Sequence, residues 1–115
     1  MTRENIIVQK TFDFALSIIE LYKEMQRQKE YVLSKQILKS GTSIGANVAE
    51  ATAAISKRDF IAKMSISSKE ARETKYWLML LKQSNLVNYD LSKHIVEIEN
   101  IINILTAIVK TSQGK

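Results

Sequence analysis

Apolar residues return along this chain every three to four positions, in four long stretches separated by polar breaks. The first stretch, roughly residues 5 to 28, places Ile7, Phe14, Ile18, Leu21 and Met25 on one stripe, the spacing of a helix. Beside it runs a second apolar strip of Phe12, Ala15, Ile19 and Tyr22. Together they are wider than a single core-facing stripe requires. Deep packing and a subunit interface both account for that width.

The second stretch, residues 30 to 54, has Val32, Ile37, Ile44, Val48 and Ala51 on its apolar side. Gly41, Gly45 and Ala49 form a ridge of small residues at i, i+4 and i+8. A glycine in a helix interior costs about 1 kcal/mol relative to alanine, so two in succession point to close approach of another backbone. The alternative is a loop at Ser40-Gly41-Thr42-Ser43, with Gly41 ending one helix and Ser43 capping the next.

The third stretch, residues 56 to 83, opens on Ser56-Lys57-Arg58-Asp59. A serine N-cap with an acid three positions on is the pattern of a capping box, although aspartate is shorter than the usual glutamate or glutamine. Phe60, Met64, Ser67, Ala71, Thr74, Leu78 and Leu81 then share one face. Its small middle, Ser67 and Ala71, is expected to meet the small ridge of the second stretch at a tight crossing. After a polar turn over residues 84 to 90, the fourth stretch carries Leu91, Ile95, Ile98, Ile102, Leu105 and Val109, widened by Ile101 and Ile108. Residues 111 to 115 read as a frayed tail. Four helices of similar length with short connections predict an all-α, antiparallel up-down-up-down four-helix bundle, a single domain over residues 1 to 115.

With no proline and three glycines, composition agrees with long uninterrupted helices. The absence of cysteine removes disulfides, thiolate metal sites and thiol nucleophiles from consideration. No apolar run is long enough to span a bilayer, and the first residues do not read as a secretory signal. A cytoplasmic protein that is not inserted in a membrane is the expectation.

Candidate chemistry is sparse. A phosphate-binding loop needs a lysine after its second glycine, and Gly45 is followed by Ala46 and Asn47. Di-iron bundles use paired Glu-x-x-His motifs. The lone histidine, His94, stands in the reverse order in His94-Ile95-Val96-Glu97 and reads as a surface polar residue. No metal, cofactor or catalytic residue is predicted. Asn47, Glu50, Glu70 and Glu73 lie on or near the packed sides of the second and third stretches. They are expected to form a structural polar cluster, pairing with Lys63, Lys69 or Arg72 rather than serving acid–base chemistry.

The net charge of +5 is unevenly placed. Residues 56 to 83 hold seven basic and three acidic side chains, against near balance elsewhere. At about 100° per residue, Lys57, Arg58, Lys69, Arg72, Lys75 and Lys82 gather away from Phe60, Ala71 and Leu78. Lys63 falls toward the packed side. A basic stripe on one helix is the footprint of phosphate binding, and Tyr76 among these cations offers a ring on which a base can stack. The competing reading is a solvated face tempered by Glu70 and Glu73.

The run Ser40-Gly41-Thr42-Ser43-Ile44-Gly45-Ala46-Asn47, then Glu50-Ala51, resembles the signature of the bacterial four-helix bundle proteins of the ribosomal-RNA intervening-sequence family. So do Ser56-Lys57, Asp59-Phe60-Ile61, Lys63, Lys69-Glu70-Ala71, Glu73-Thr74 and Tyr76-Trp77-Leu78. The resemblance covers nearly the whole chain. It implies a continuous second helix, an antiparallel bundle and assembly into a homopentamer. A more distant relative, the accessory protein of diversity-generating retroelements, is similar to a basic pentameric barrel that binds nucleic acid and a reverse transcriptase. For most members no activity is established. Many members carry a basic residue immediately before the Glu of the second helix, where this chain has Ala49.

The expectation is a non-enzymatic oligomeric module that binds structured RNA or a nucleic-acid-associated protein through Lys57, Arg58, Lys69, Arg72, Lys75 and Lys82. The alternative is a protein-binding scaffold using the wide apolar faces of the first and fourth stretches.

Overall fold

The computed structural model describes residues 2–114. They form four α-helices: α1 (Arg3–Arg27), α2 (Leu33–Thr52), α3 (Lys57–Ser84) and α4 (Ser92–Gln113). No strand occurs among the described residues. α2 runs unbroken through Ser40–Ser43, so the loop alternative is excluded. α4 continues to Gln113, so the expected fraying does not reach that far; Lys115 lies outside the described residues.

Pairs of touching residues give the direction of each helix. Between α2 and α3, Glu50 meets Lys63, Ile44 meets Ser67 and Ser40 meets Thr74. One number falls as the other rises, so the two run antiparallel. The same holds for Thr106 with Arg72 and Glu99 with Lys75 across α3 and α4. Each helix packs on its neighbours in the chain, α4 closes on α1, and the diagonal helices do not approach. The result is a bundle of 46 × 22 × 20 Å.

The helix ends follow local chemistry. Thr2 accepts from the Asn5 amide at 3.1 Å and Ser56 from the Asp59 amide at 3.0 Å, each satisfying an amide that the helix itself leaves free. Asp59 does not complete the capping box; its carboxylate lies 3.4 Å from the Ile55 amide instead. Glu30, taken from the pattern as the start of the second helix, lies before it. Its carboxylate accepts from the amides of Val32, Leu33 and Ser34 at 3.1, 3.0 and 2.7 Å. Val32 is thereby turned outward, 73 % exposed, not on the apolar side where the periodicity placed it. Lys29 and Asn85, just past α1 and α3, take left-handed backbone with φ of 64° and 55°, which reverses the chain without glycine.

The core runs along the bundle axis. Ile7, Ile18, Leu21, Ile37, Ile44, Met64, Leu78, Ile98 and Leu105 are fully buried, each stabilising the fold by about 1.5–3 kcal/mol. Ile101 and Ile108, which widen the α4 stripe, are also core residues. The expected extra width of the fourth helix is therefore used inside the subunit. On α1 it is not: Phe12 is 61 % exposed, and Val8, Leu16 and Ile19 are exposed beside it.

The glycine ridge also differs from expectation. Gly41 and Gly45 face Ile18 and Thr11 of α1, not α3. α2 and α3 are instead tied by buried hydroxyls. Ser67 donates to the Ile44 carbonyl at 2.8 Å, and the Thr74 and Ser40 hydroxyls are hydrogen-bonded at 2.9 Å.

Candidate nucleic-acid interface

α3 is 28 residues long, about 42 Å at 1.5 Å per residue, and its cations span that length. Ser56 fixes its start, so Lys57 and Arg58 emerge at the first turn, with Lys69 and Arg72 in the middle and Lys82 in the last turn. All five are exposed. Lys75 is half-buried and pairs with Glu99 of α4 at 3.1 Å. Lys63, expected toward the packed side, is half-buried and pairs with Glu50 of α2 at 2.8 Å. Lys57, Arg58, Lys69, Arg72 and Lys82 form no ion pair among the described residues.

The acids of α3 are turned elsewhere. Asp59 lies at the helix start. Glu70 lies 3.4 Å from the Ser43 hydroxyl of α2, whose proton goes to the Lys39 carbonyl at 2.8 Å, and Glu73 accepts from the Trp77 indole N–H at 3.1 Å. Neither Glu70 nor Glu73 forms an ion pair with a cation of α3 among the described residues, though both carboxylates still place negative charge beside the stripe. Tyr76 is 61 % exposed and meets the Trp77 ring edge-on, 5.3 Å between centroids. Its ring is braced on one side and open to solvent.

Asn47, Glu50, Glu70 and Glu73 do not come together as one cluster. Asn47 donates to the Ser43 carbonyl one turn back at 2.9 Å. Glu50 reaches Lys63, while Glu70 and Glu73 have the neighbours given above. Glu50 and Glu73 are exposed. Among the described residues no group of three or more His, Cys, Asp or Glu side chains is placed to hold a metal ion.

His94 is the clearest departure from the sequence reading. It is buried, only 8 % exposed, in the seam between α4 and α1. Its Nε2 lies 3.4 Å from the Ser17 carbonyl, and its buried Nδ1 has no hydrogen-bond partner among the described residues. Burial holds the ring's pKa below its ordinary value, opposed by the Ser17 carbonyl and by Asp90. The ring lines a cleft of about 370 Å³ with Asp13, Glu20, Tyr89, Lys93 and Glu97. A single histidine at an i, i+4 position on an otherwise apolar stripe (Leu91, His94, Ile98) was the available signal for its burial.

Lys110 of α4, absent from the predicted basic set, lines one groove with Arg72. A charge pattern along a single helix does not join cations that different helices bring to one groove.

A family model described as the 23S rRNA-intervening sequence protein matches residues 3–107. No curated protein matches the chain at a significant level. A crystal structure from Bacteroides thetaiotaomicron, described as a protein with unknown function from the S23 ribosomal protein family, is similar at 43 % identity and a TM-score of 0.90. That similarity covers 95 % of this chain and 99 % of the other. The family model covers α1 to α3 and most of α4, and the chain belongs to the 23S rRNA-intervening sequence protein family.

Proposed function

We propose that this protein is a non-enzymatic, cytoplasmic, oligomeric four-helix module that binds structured RNA through the exposed cations of α3. The observation that carries this reading is the separation of charge on that helix. Five cations have no acidic partner among the described residues, Glu70 and Glu73 of the same helix included. Cations clustered along one helix are the electrostatic footprint of phosphate binding, and Tyr76 adds a stacking ring. Assembly multiplies the effect, because repetition of one basic helix around a ring raises the local field and the number of simultaneous contacts.

Self-association has its own support. Val8, Phe12, Leu16 and Ile19 form an exposed apolar strip on α1. It borders a shallow groove in which Val8 and Phe12 meet Gly45, Ala46 and Ala49 of α2. We assign this face to subunit contact, with five subunits following from the family resemblance. A protein-binding scaffold without RNA is the second reading, favoured by the same strip.

A salt titration against structured RNA tests the proposal. Log affinity should fall with log salt at a slope of about −0.7 to −0.9 per phosphate contact. Replacing Lys57, Arg58 and Lys69 together by Gln should flatten that slope by about three contacts without unfolding the exposed surface. No binding near 50 mM salt, or equal binding by the variant, would leave the scaffold reading in its place.

A further inference from the structure

We infer that the groove between α3 and α4 near the C-terminal end of α4 is an oxyanion site, built to take a phosphate group. Arg72 enters it from α3 and Lys110 from α4, and the hydroxyls of Ser65, Ser68 and Thr106 line it with the Gln113 carboxamide. Its volume is about 260 Å³. Both charged groups are cations, every polar side chain can donate a hydrogen bond, and no carboxylate among the described residues lines it.

Arg72 is pre-positioned. One of its Nη atoms donates to Thr106 Oγ1 at 3.0 Å, which fixes the planar guanidinium across the groove and leaves its other N–H groups for a ligand. Arginine in that state suits the paired oxygens of a phosphate. The serines carry the second observation. Some hydroxyls of these helices, those of Ser17, Thr42, Ser43, Thr52 and Ser84, bond back to a carbonyl three or four residues earlier. Ser65 and Ser68 have no such bond among the described residues, so both hydroxyls remain available in the groove.

The same seam supplies a contrast. Farther along it, Lys75 lines a groove with Glu99, and the two form an ion pair at 3.1 Å. There the charge is neutralised within the subunit. At Arg72 and Lys110 it is not, although both pairs bridge the same two helices. The inference rests on the RNA reading only for the carrier of the phosphate; the oxyanion chemistry belongs to the groove itself.

The probe is inorganic phosphate, added to the full chain and followed by backbone amide NMR shifts, with chloride holding ionic strength constant. Saturable shifts should centre on Ser65, Ser68, Thr106 and Lys110. The double variant R72Q/K110Q should weaken binding at least about tenfold with an unchanged thermal melt, and K75Q should leave it unaltered. Shifts spread evenly over Lys57, Arg58 and Lys82, the same shifts with chloride alone, or equal binding by the double variant would overturn the site. A short RNA run in parallel separates the two proposals. Phosphate saturating the groove while RNA fails to bind sustains the site and removes the RNA reading. RNA binding with the groove amides silent toward both ligands does the reverse.

Discussion

Ile18 of α1 occupies the space that a side chain on Gly41 of α2 would need. A Cβ added to the glycine would lie 2.9 Å from both Cγ1 and Cγ2 of Ile18, and Ile18 is fully buried. Gly41→Ala gains about 1 kcal/mol of helix propensity, yet it should destabilise the fold by about 1–3 kcal/mol through overpacking. At Gly45 the nearest atom is the Thr11 carbonyl oxygen at 3.2 Å, a milder conflict. Gly45→Ala should therefore be tolerated better, while Gly45→Leu should fail to pack. Urea denaturation of the three variants checks the order; equal stability of Gly41→Ala and wild type would show that α1 yields at this crossing.

Phe12 tests the assembly face separately from the fold. It is one of the most exposed large apolar side chains, so Phe12→Glu removes little from the core. The variant should keep its helical signal and melting behaviour while its mass in light scattering drops to that of one chain. A wild type already monomeric at micromolar concentration would remove the assembly proposal.

Glu30 should matter more than an exposed loop acid usually does. Its carboxylate satisfies three backbone amides at the start of α2, and a negative charge there also complements the helix dipole. Glu30→Ala should cost about 1–2 kcal/mol, and Glu30→Gln should recover part of it, as read from chemical denaturation. An alanine variant as stable as wild type would mean that water replaces the cap without loss.

His94 gives the stability a pH dependence. Its folded-state pKa lies below the ordinary 6.5, chiefly through burial, with Lys93 acting in the same direction and the Ser17 carbonyl and Asp90 opposing it. Asp13, Glu20 and Glu97 line the same cleft. Between the lowered value and the ordinary one, the unfolded chain binds the proton that the folded chain refuses. This contribution is complete above about pH 6.5 and is lost as pH falls toward the folded value. His94→Gln cannot titrate there and should show a shallower decline between pH 7 and 5. Parallel curves for the two proteins would place the pH dependence in other groups.

The helices and most of their ends were readable from the chain because their causes are local. Ser56 caps its own first turn, and Ile37, Ile44 and Val48 lie on one side of α2 whatever stands opposite. Val32 shows a local cause that the apolar rhythm does not carry: the rhythm set the start at Glu30, but the Glu30 carboxylate caps the amides of Val32, Leu33 and Ser34 and the helix begins at Leu33. Of the candidate interface residues, Lys57 and Arg58 stand exposed as the pattern on α3 indicated, whereas Lys75 is drawn to Glu99 and Lys110 joins Arg72 from another helix.

By itself the sequence determined which residues share a face, since a fixed 100° step per residue depends on nothing outside the helix. Only the tertiary structure decided what each face meets. The glycines turned to α1, Ser67 reached the Ile44 carbonyl, and His94 was enclosed against Ser17. Each of these depends on a residue more than twenty positions away, brought near by the packing of whole helices. Close packing selects among such neighbours by shape over the entire crossing, and no single helix carries that information.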